Sequence, residues 1–178
     1  MGNFDGVHLG HQSVIDLART DEPLGIITFE PHPRQVFQPD APTFRLMNAE
    51  ARANRLAKLG VEHLFQLQFN RNISALSPED FVHRVLAEGL GIKHIVVGAD
   101  FCFGKGRAGN AEDLRALGMK HGFRTTIAPL VHIAGREVSS TAIRLALAEG
   151  RPRDAADMLG HLHRIEGEVI HGEKRGRE

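Results

Sequence analysis

Cysteine is almost missing. Cys102 is the one thiol in 178 residues, so no disulfide can close within the chain, and the expected setting is the reducing cytoplasm. Net charge is missing as well, since Lys+Arg and Asp+Glu each number 22. Without a field of one sign, neither nucleic acid nor a membrane surface is an expected partner, and any phosphate must be held by local donors. No apolar run reaches the ~18 residues of a membrane span. No signal-peptide pattern heads the chain, and it contains no repeat or low-complexity tract. What remains is 42% apolar residues, enough for the core of one domain, or of one domain plus a fragment.

The chemistry concentrates in Gly2-Asn3-Phe4-Asp5-Gly6-Val7-His8-Leu9-Gly10-His11-Gln12. From Gln12 to Ala18 the apolar Val14, Ile15 and Leu17 follow a helical period. At a helix start, a spacing of three puts His8 and His11 on one side. Gly6 and Gly10 leave room for a ligand to approach the backbone, and a helix N-terminus offers unpaired N–H groups to an anion. The reading is an anion site with two imidazole donors aimed at it. The plainer alternative is a pair of loop histidines that only cap the helix.

Further along, Leu24 to Phe29 reads as a buried strand ending in Thr28-Phe29-Glu30-Pro31-His32-Pro33-Arg34. Its prolines predict an extended, stiff loop at the carboxyl edge of the strand, where open α/β sheets bind ligands. Phe29 would be an aromatic wall there. Residues 35–43 are expected to be loop. Asn48 caps a helix to about Lys58, with Ala49, Ala53, Leu56 and Leu59 on its apolar side, and a short strand follows at His63–Leu67. Ser77, Pro78 and Asp80 open another helix, closed by Gly89 and Gly91. His63, His83 and His94 read as ordinary surface or packing residues. A second buried strand, His94–Gly98, runs into a glycine- and cation-rich loop up to Gly109. Such a loop at a strand end suits phosphate, although the spacing is not that of a P-loop. Cys102 within it reads as packing, without a neighbouring group to activate it.

Asn110 caps a helix from Ala111 to His121. Residues 125–130 and 131–138 read as strands, with a turn at Ala134-Gly135. Ser139, Ser140 and Thr141 then cap a helix to Glu149, with Arg144 one turn beyond Ser140 on the same side. A short helix from Pro152 ends at Gly160, and from Arg164 the chain is highly charged, reading as a solvated tail. Strands alternating with helices argue for a parallel α/β sheet.

Four strings stand out together: G-N-F-D-G-V-H-L-G-H from Gly2, T-F-E-P-H-P from Thr28, G-A-D-F-C-F-G-K-G-R-A-G from Gly98 and V-S-S-T-A-I-R from Val138. They resemble the signatures of the nucleotidylyltransferase superfamily, and more narrowly the FMN adenylyltransferase module of prokaryotic bifunctional riboflavin kinase/FAD synthetases. The resemblance covers residues 2 to about 160. It implies a Rossmann-like fold, a parallel sheet flanked by helices. In that family a buried strand precedes the first string, but only Met1 stands before Gly2 here, so a sheet lacking its first strand is expected.

The resemblance further implies that ATP and FMN are converted to FAD and pyrophosphate, with Mg²⁺ arriving with ATP and no metal ligand from the protein. His8, His11 and Arg144 would be catalytic. Asn3, Phe4, Asp5, Gly10, Gly98, Asp100, Ser139, Ser140 and Thr141 would lie with ATP. Phe29, Pro31, His32, Pro33, Phe103 and Arg107 would lie with the flavin. Residues 1–160 would form the adenylyltransferase domain, truncated at its N-terminus. Residues 161–178 would be a linker and the truncated start of a riboflavin kinase domain, expected to follow in the full-length protein. That domain's nucleotide motif is not reached, so no kinase activity is assigned. Two rivals stay open: a transferase of the same fold acting on pantetheine phosphate or nicotinate mononucleotide, and a non-catalytic nucleotide- or flavin-binding remnant.

Overall fold

A computed structural model describes residues 1–173; the end of the charged run expected from Arg164 lies outside the described residues. His8 opens the first helix, α1 (Leu9–Ala18), by accepting the His11 N–H on its own ring. Strand β1 (Gly25–Glu30) follows. The loop expected after it is partly helical: α2 (Pro33–Phe37) has Pro33 in its first turn, and His32 and Gln35 close a reciprocal cap. The second proline starts a helix because its fixed φ and missing N–H are harmless in a first turn. Asn48 caps α3 (Ala49–Lys58), and β2 spans His63–Gln68. A one-turn helix that the sequence reading missed, α4 (Arg71–Ser74), is capped by Asn70.

Ser77 caps α5 (Pro78–Asp80), which runs straight into a π-helix over Phe81–Gly89. Strand β3 is His94–Gly98. The glycine-rich loop folds into a small antiparallel hairpin, β4 (Cys102–Phe103) against β5 (Gly109–Asn110). Then come α6 (Ala111–Lys120), capped by Asn110, and β6 (Arg124–Ala128). The long strand expected to Val138 is instead a short hairpin, β7 (His132–Ile133) and β8 (Arg136–Glu137), turning at Ala134-Gly135. Helices α7 (Ser140–Ala148) and α8 (Pro152–Leu159) complete the order.

The strands form two parallel pairs, β1 with β2 and β3 with β6. No strand is assigned between them, yet the place is not empty. Gly2 donates its N–H to the Ile27 carbonyl at 3.1 Å, and the Met1 amino group donates to the Val96 carbonyl at 2.9 Å. Thr28 Oγ1 donates to the Asn3 carbonyl at 3.3 Å. The pairs are thus joined through residues 1–3, in the order β2–β1–(1–3)–β3–β6, and the expected gap is bridged at mid-strand.

Both faces are covered, which explains why the strands read as continuous Ile and Val rather than as an alternating pattern. Ile27, Ile95 and Val97 pack with Phe81, Val82 and Leu86 of the π-helix and with Leu114 of α6. On the opposite face, Ile26 and Leu24 pack with Phe4, Val7, Ile15 of α1 and Leu56 of α3. A third cluster joins α7 to α8 through Ile143, Ala146, Ala155 and Leu159. The inward face of α3 differs from expectation. Its buried residues are Leu56 and a charged one, Arg52, while Ala49, Ala53 and Leu59 are only half-buried.

Candidate active site

At the carboxyl ends of β1 and β3 the chain leaves a cavity of about 830 Å³, within the ~300–1,000 Å³ usual for small-ligand sites. Every site residue expected from the sequence lines it except Pro31. The turn that delivers the histidines holds Phe4 at φ 52 and Val7 at φ 44, a left-handed conformation uncommon outside glycine and often kept for a site. Gly10 is required here, because a Cβ would sit 3.1 Å from the His8 ring and 3.3 Å from the Val138 carbonyl. The starts of α1 and α7 therefore meet across one end of the cavity.

His8 and His11 stack with ring centroids 3.6 Å apart. The His8 Nδ1 accepts the His11 N–H at 3.3 Å, so the neutral ring carries its proton on Nε2. Burial pushes the His8 pKa down to about 4, against a smaller upward pull from Asp5 and a further push down from Arg144. His11 is held well below the usual histidine range by burial and by His8, and its Nδ1 is buried with no hydrogen-bond partner. Both rings are thus neutral at neutral pH. Ser139 caps α7 by accepting the Ala142 N–H at 3.2 Å, and Ser140 Oγ donates to the Asp5 carbonyl at 2.7 Å.

Asp5 lines the cavity, but its carboxylate is occupied. It accepts from the Leu46 and Met47 N–H groups at 3.0 and 3.3 Å and from Arg144 Nη2 at 2.5 Å. Arg144 Nε donates to the Phe44 carbonyl at 2.7 Å, and its guanidinium lies 5.2 Å from the Phe44 ring centroid. His32 meets the same ring edge-on at 5.0 Å, and burial lowers its pKa to about 4.

The other end is aromatic. Phe29 meets Phe69 edge-on at 5.7 Å and Phe81 at 6.4 Å, Phe81 meets Phe103 at 5.9 Å, and Phe103 stacks with Phe101 at 5.7 Å. Gly98 and Asp100 are coupled, since a Cβ on Gly98 would lie 2.9 Å from Asp100 Oδ1. Cys102 points its sulfur at the Asp100 carbonyl, 3.6 Å away.

Sequence reading missed Phe44, Phe69, Phe37 and Arg34, all of which line the cavity. It also missed the network behind them. Glu30 takes a two-pronged bond from Arg45 at 2.6 and 2.9 Å and a third from Arg52 Nη2 at 3.0 Å. The Arg45 bond, chiefly, holds the Glu30 carboxyl below the usual carboxylate range. Fully buried, Arg52 also donates to the Asn3 carbonyl and to Gln66, both at 3.3 Å. A loop without a period carries Phe44 and Arg45, so no sequence signal marks them; a charge on the apolar side of α3 could have marked Arg52. Among the described residues no group of three or more His, Cys, Asp or Glu side chains could hold a metal ion.

A family model described as FAD synthetase matches residues 1–142. The chain is 40% identical over 185 residues to a bifunctional riboflavin kinase/FMN adenylyltransferase of Pseudomonas fluorescens, covering 100% of this chain and 58% of that protein. With the protein of the same description from Escherichia coli (strain K12) the identity is 36% over 182 residues, covering 99% and 58%. The chain thus spans 58% of the length of these relatives. A crystal structure described as a macrolide-efflux protein from Streptococcus pneumoniae superposes with a TM-score of 0.82 at 31% identity, over 97% of this chain and 59% of that one. No helix among the described residues is long and apolar enough to cross a membrane. Identity of this extent runs along the whole chain, and the family model spans the histidine turn, both sheet pairs and the start of α7: the chain belongs to the FAD synthetase family.

Proposed function

We propose that this chain transfers the adenylyl group of ATP to FMN, giving FAD and pyrophosphate. The observation that carries the reading is one cavity with two kinds of wall. Two helix starts, stacked imidazoles and an arginine line one end, and a chain of phenylalanines lines the other. The first suits a polyphosphate and the second a flat, fused-ring system. A phosphate oxygen of FMN attacks the α-phosphorus of ATP in line. The new P–O bond forms as the bond to the bridging oxygen breaks, and pyrophosphate leaves with that electron pair. No covalent enzyme intermediate is needed, so catalysis is positioning and neutralisation of charge.

His8 donates from Nε2 toward the reacting phosphates, with His11 stacked beneath it. The start of α7 and Arg144 hold the pyrophosphate that departs. Asn3, Gly98 and Asp100 lie beside the adenosine, and Phe29, Phe103, His32 and Pro33 beside the flavin. Mg²⁺ brought with ATP would supply further neutralisation; with the Asp5 carboxylate already taken by Arg144, Leu46 and Met47, no side chain at this end is assigned to hold it. The reading is assigned to residues 1–160. The stretch from 161, with Leu162, Ile165, Val169 and Ile170 exposed, is read as leading into a riboflavin kinase unit of a bifunctional protein.

The test is product analysis with ATP, Mg²⁺ and a panel of acceptors. FMN is expected to yield FAD, while pantetheine phosphate and nicotinate mononucleotide yield no adenylylated product. Turnover of either of those two without turnover of FMN refutes the assignment, and nucleotide binding without turnover of any acceptor marks a remnant.

A further inference from the structure

The geometry points to Asp5 as a positioning residue: it seats the Arg144 guanidinium and ties the loop at 44–47 to the histidine turn, without itself contacting ATP. The inference rests on the adenylyl-transfer reading for what Arg144 does, and on the contacts alone for how Arg144 is held.

The hydrogen bonds of Asp5 account for its whole carboxylate. Oδ1 accepts from the Leu46 and Met47 N–H groups, and Oδ2 from Leu46 at 3.2 Å and from Arg144 Nη2 at 2.5 Å. The residue is 2% exposed. A carboxylate turned toward a polyphosphate would repel it in a low-dielectric site; one already paired with an arginine does not. Arg144 has two of its three nitrogens engaged, Nε by the Phe44 carbonyl and Nη2 by Asp5. A planar guanidinium gripped at two corners has one orientation. Among the described residues Nη1 has no protein acceptor, and Arg144 lines the cavity, so this corner is the one left for a ligand. This is preorganisation: the arginine's freedom is spent during folding and not at each turnover.

A second tie runs through the Asp5 backbone, whose carbonyl accepts from Ser140 Oγ. This bond survives a change of side chain. Asp5→Asn therefore keeps α7 attached and keeps an acceptor for Leu46. It turns an amide N–H₂ or a weaker neutral acceptor toward Arg144 and frees the guanidinium.

The experiment measures FAD formation by the parent, Asp5→Asn, Arg144→Ala and the double variant, each with and without millimolar guanidinium chloride. In Asp5→Asn, kcat is expected to fall on the order of 10²-fold or less, the scale of a small misplacement, while the KM for ATP stays nearly constant. The double variant is expected to be no worse than Arg144→Ala alone, because residues acting as a unit are not additive. Guanidinium is expected to restore part of the activity to Arg144→Ala and none to the double variant, which lacks the seat. A raised KM for ATP at unchanged kcat would make Asp5 an ATP ligand and overturn the proposal, as would additive losses.

If Asp5→Asn does not fold, the ligand-free parent decides. Slowly rotating Arg144 η-nitrogens, seen as separate ¹⁵N resonances, are expected, and one averaged resonance overturns the proposal. A parent that folds but makes no FAD refutes the functional reading instead, and the same spectrum still tests the seat.

Discussion

Replacing Arg52 by methionine tests whether the buried ionic network behind the cavity is structural ballast or part of the site. Stripping one partner from a buried ion pair costs ~3–5 kcal/mol when the other charge is left alone. Here it is not left alone, because Glu30 keeps both prongs of Arg45 at 2.6 and 2.9 Å. The loss reduces to three hydrogen bonds, to Glu30 at 3.0 Å and to Asn3 and Gln66 at 3.3 Å. All three have the charged guanidinium as donor, and such a bond is worth ~1.5–3 kcal/mol, the two at 3.3 Å at the weak end. Against this stands the relieved desolvation of a guanidinium that is 0% exposed, itself worth several kcal/mol. Methionine fills most of the volume, so little is added for a cavity. The net expectation is a loss of about 2 kcal/mol, read as a lower urea midpoint at unchanged slope and a melting point lower by ~4–8 °C. Turnover should fall further than stability alone explains, since the Asn3 carbonyl, at the head of the histidine turn, would be held by Thr28 Oγ1 alone. A variant as stable as the parent and equally active would refute the reasoning and make the network replaceable by apolar packing.

His11→Ala should lower kcat by ~10²–10³, the scale for removing one preorganised donor, and steady-state FAD assays showing less than a twofold change would leave the pair a purely structural role. Because folding lowers the His8 and His32 pKa values to about 4 from ~6.5 in an unfolded chain, the unfolded state binds more protons between those values. Their contribution is complete above pH ~6.5 and is lost as the pH falls toward 4, by at most ~3 kcal/mol apiece; denaturant midpoints that stay flat from pH 7 to 5 would contradict it. ATP binding should draw protons into the site at pH 6–7, seen as a calorimetric enthalpy that changes with the buffer's ionisation enthalpy. Gly104→Ala should destabilise by ~2–5 kcal/mol, the left-handed strain of φ 75 plus the overpacking of a Cβ that meets Pro78 at 2.8 Å, whereas Gly122→Ala, at φ 82 with open space, should cost only the ~1–2 kcal/mol of strain; equal losses in thermal melts would remove the steric argument.

The legible parts of this chain are those whose physics is local. Asn48, Ser77 and Asn110 cap helices where expected, because a cap needs only its own side chain and the N–H groups up to three residues on. The Ile and Val runs of β1 and β3 are legible for the same reason. The histidine turn and the start of α7 could be named because their donors are consecutive. Their meeting could not, for the contact of Asp5 with Arg144 spans 139 positions. Arg52 is visible only as a charge on the apolar side of α3, while the partners that bury it, Glu30, Gln66 and Asn3, are distant in sequence. Pro33 could stiffen a loop or start a helix, and only the His32 and Gln35 cap decides. Hairpin β7–β8 has two residues per strand, too few to show a period. The bridging of β1 and β3 by residues 1–3 rests on main-chain donors at Met1 and Gly2 and on one threonine hydroxyl, none of which follows a hydrophobic period.

The chain has no net charge, and the phosphate end of the cavity is correspondingly restrained. Its two imidazoles are neutral, and its arginine is already paired with a carboxylate. Two imidazolium rings 3.6 Å apart would repel each other strongly in a buried site, so the empty cavity is most stable with both rings uncharged. A polyphosphate would shift that balance toward the protonated ring, because its negative charge favours it. Two neutral rings spare the cavity the repulsion of two buried cations. Arg144 follows the same rule by another route. Asp5 compensates its charge through the Nη2 pair. On the adenylyl-transfer reading, oriented donors of this kind would let a chain without an overall electrostatic field select an anion.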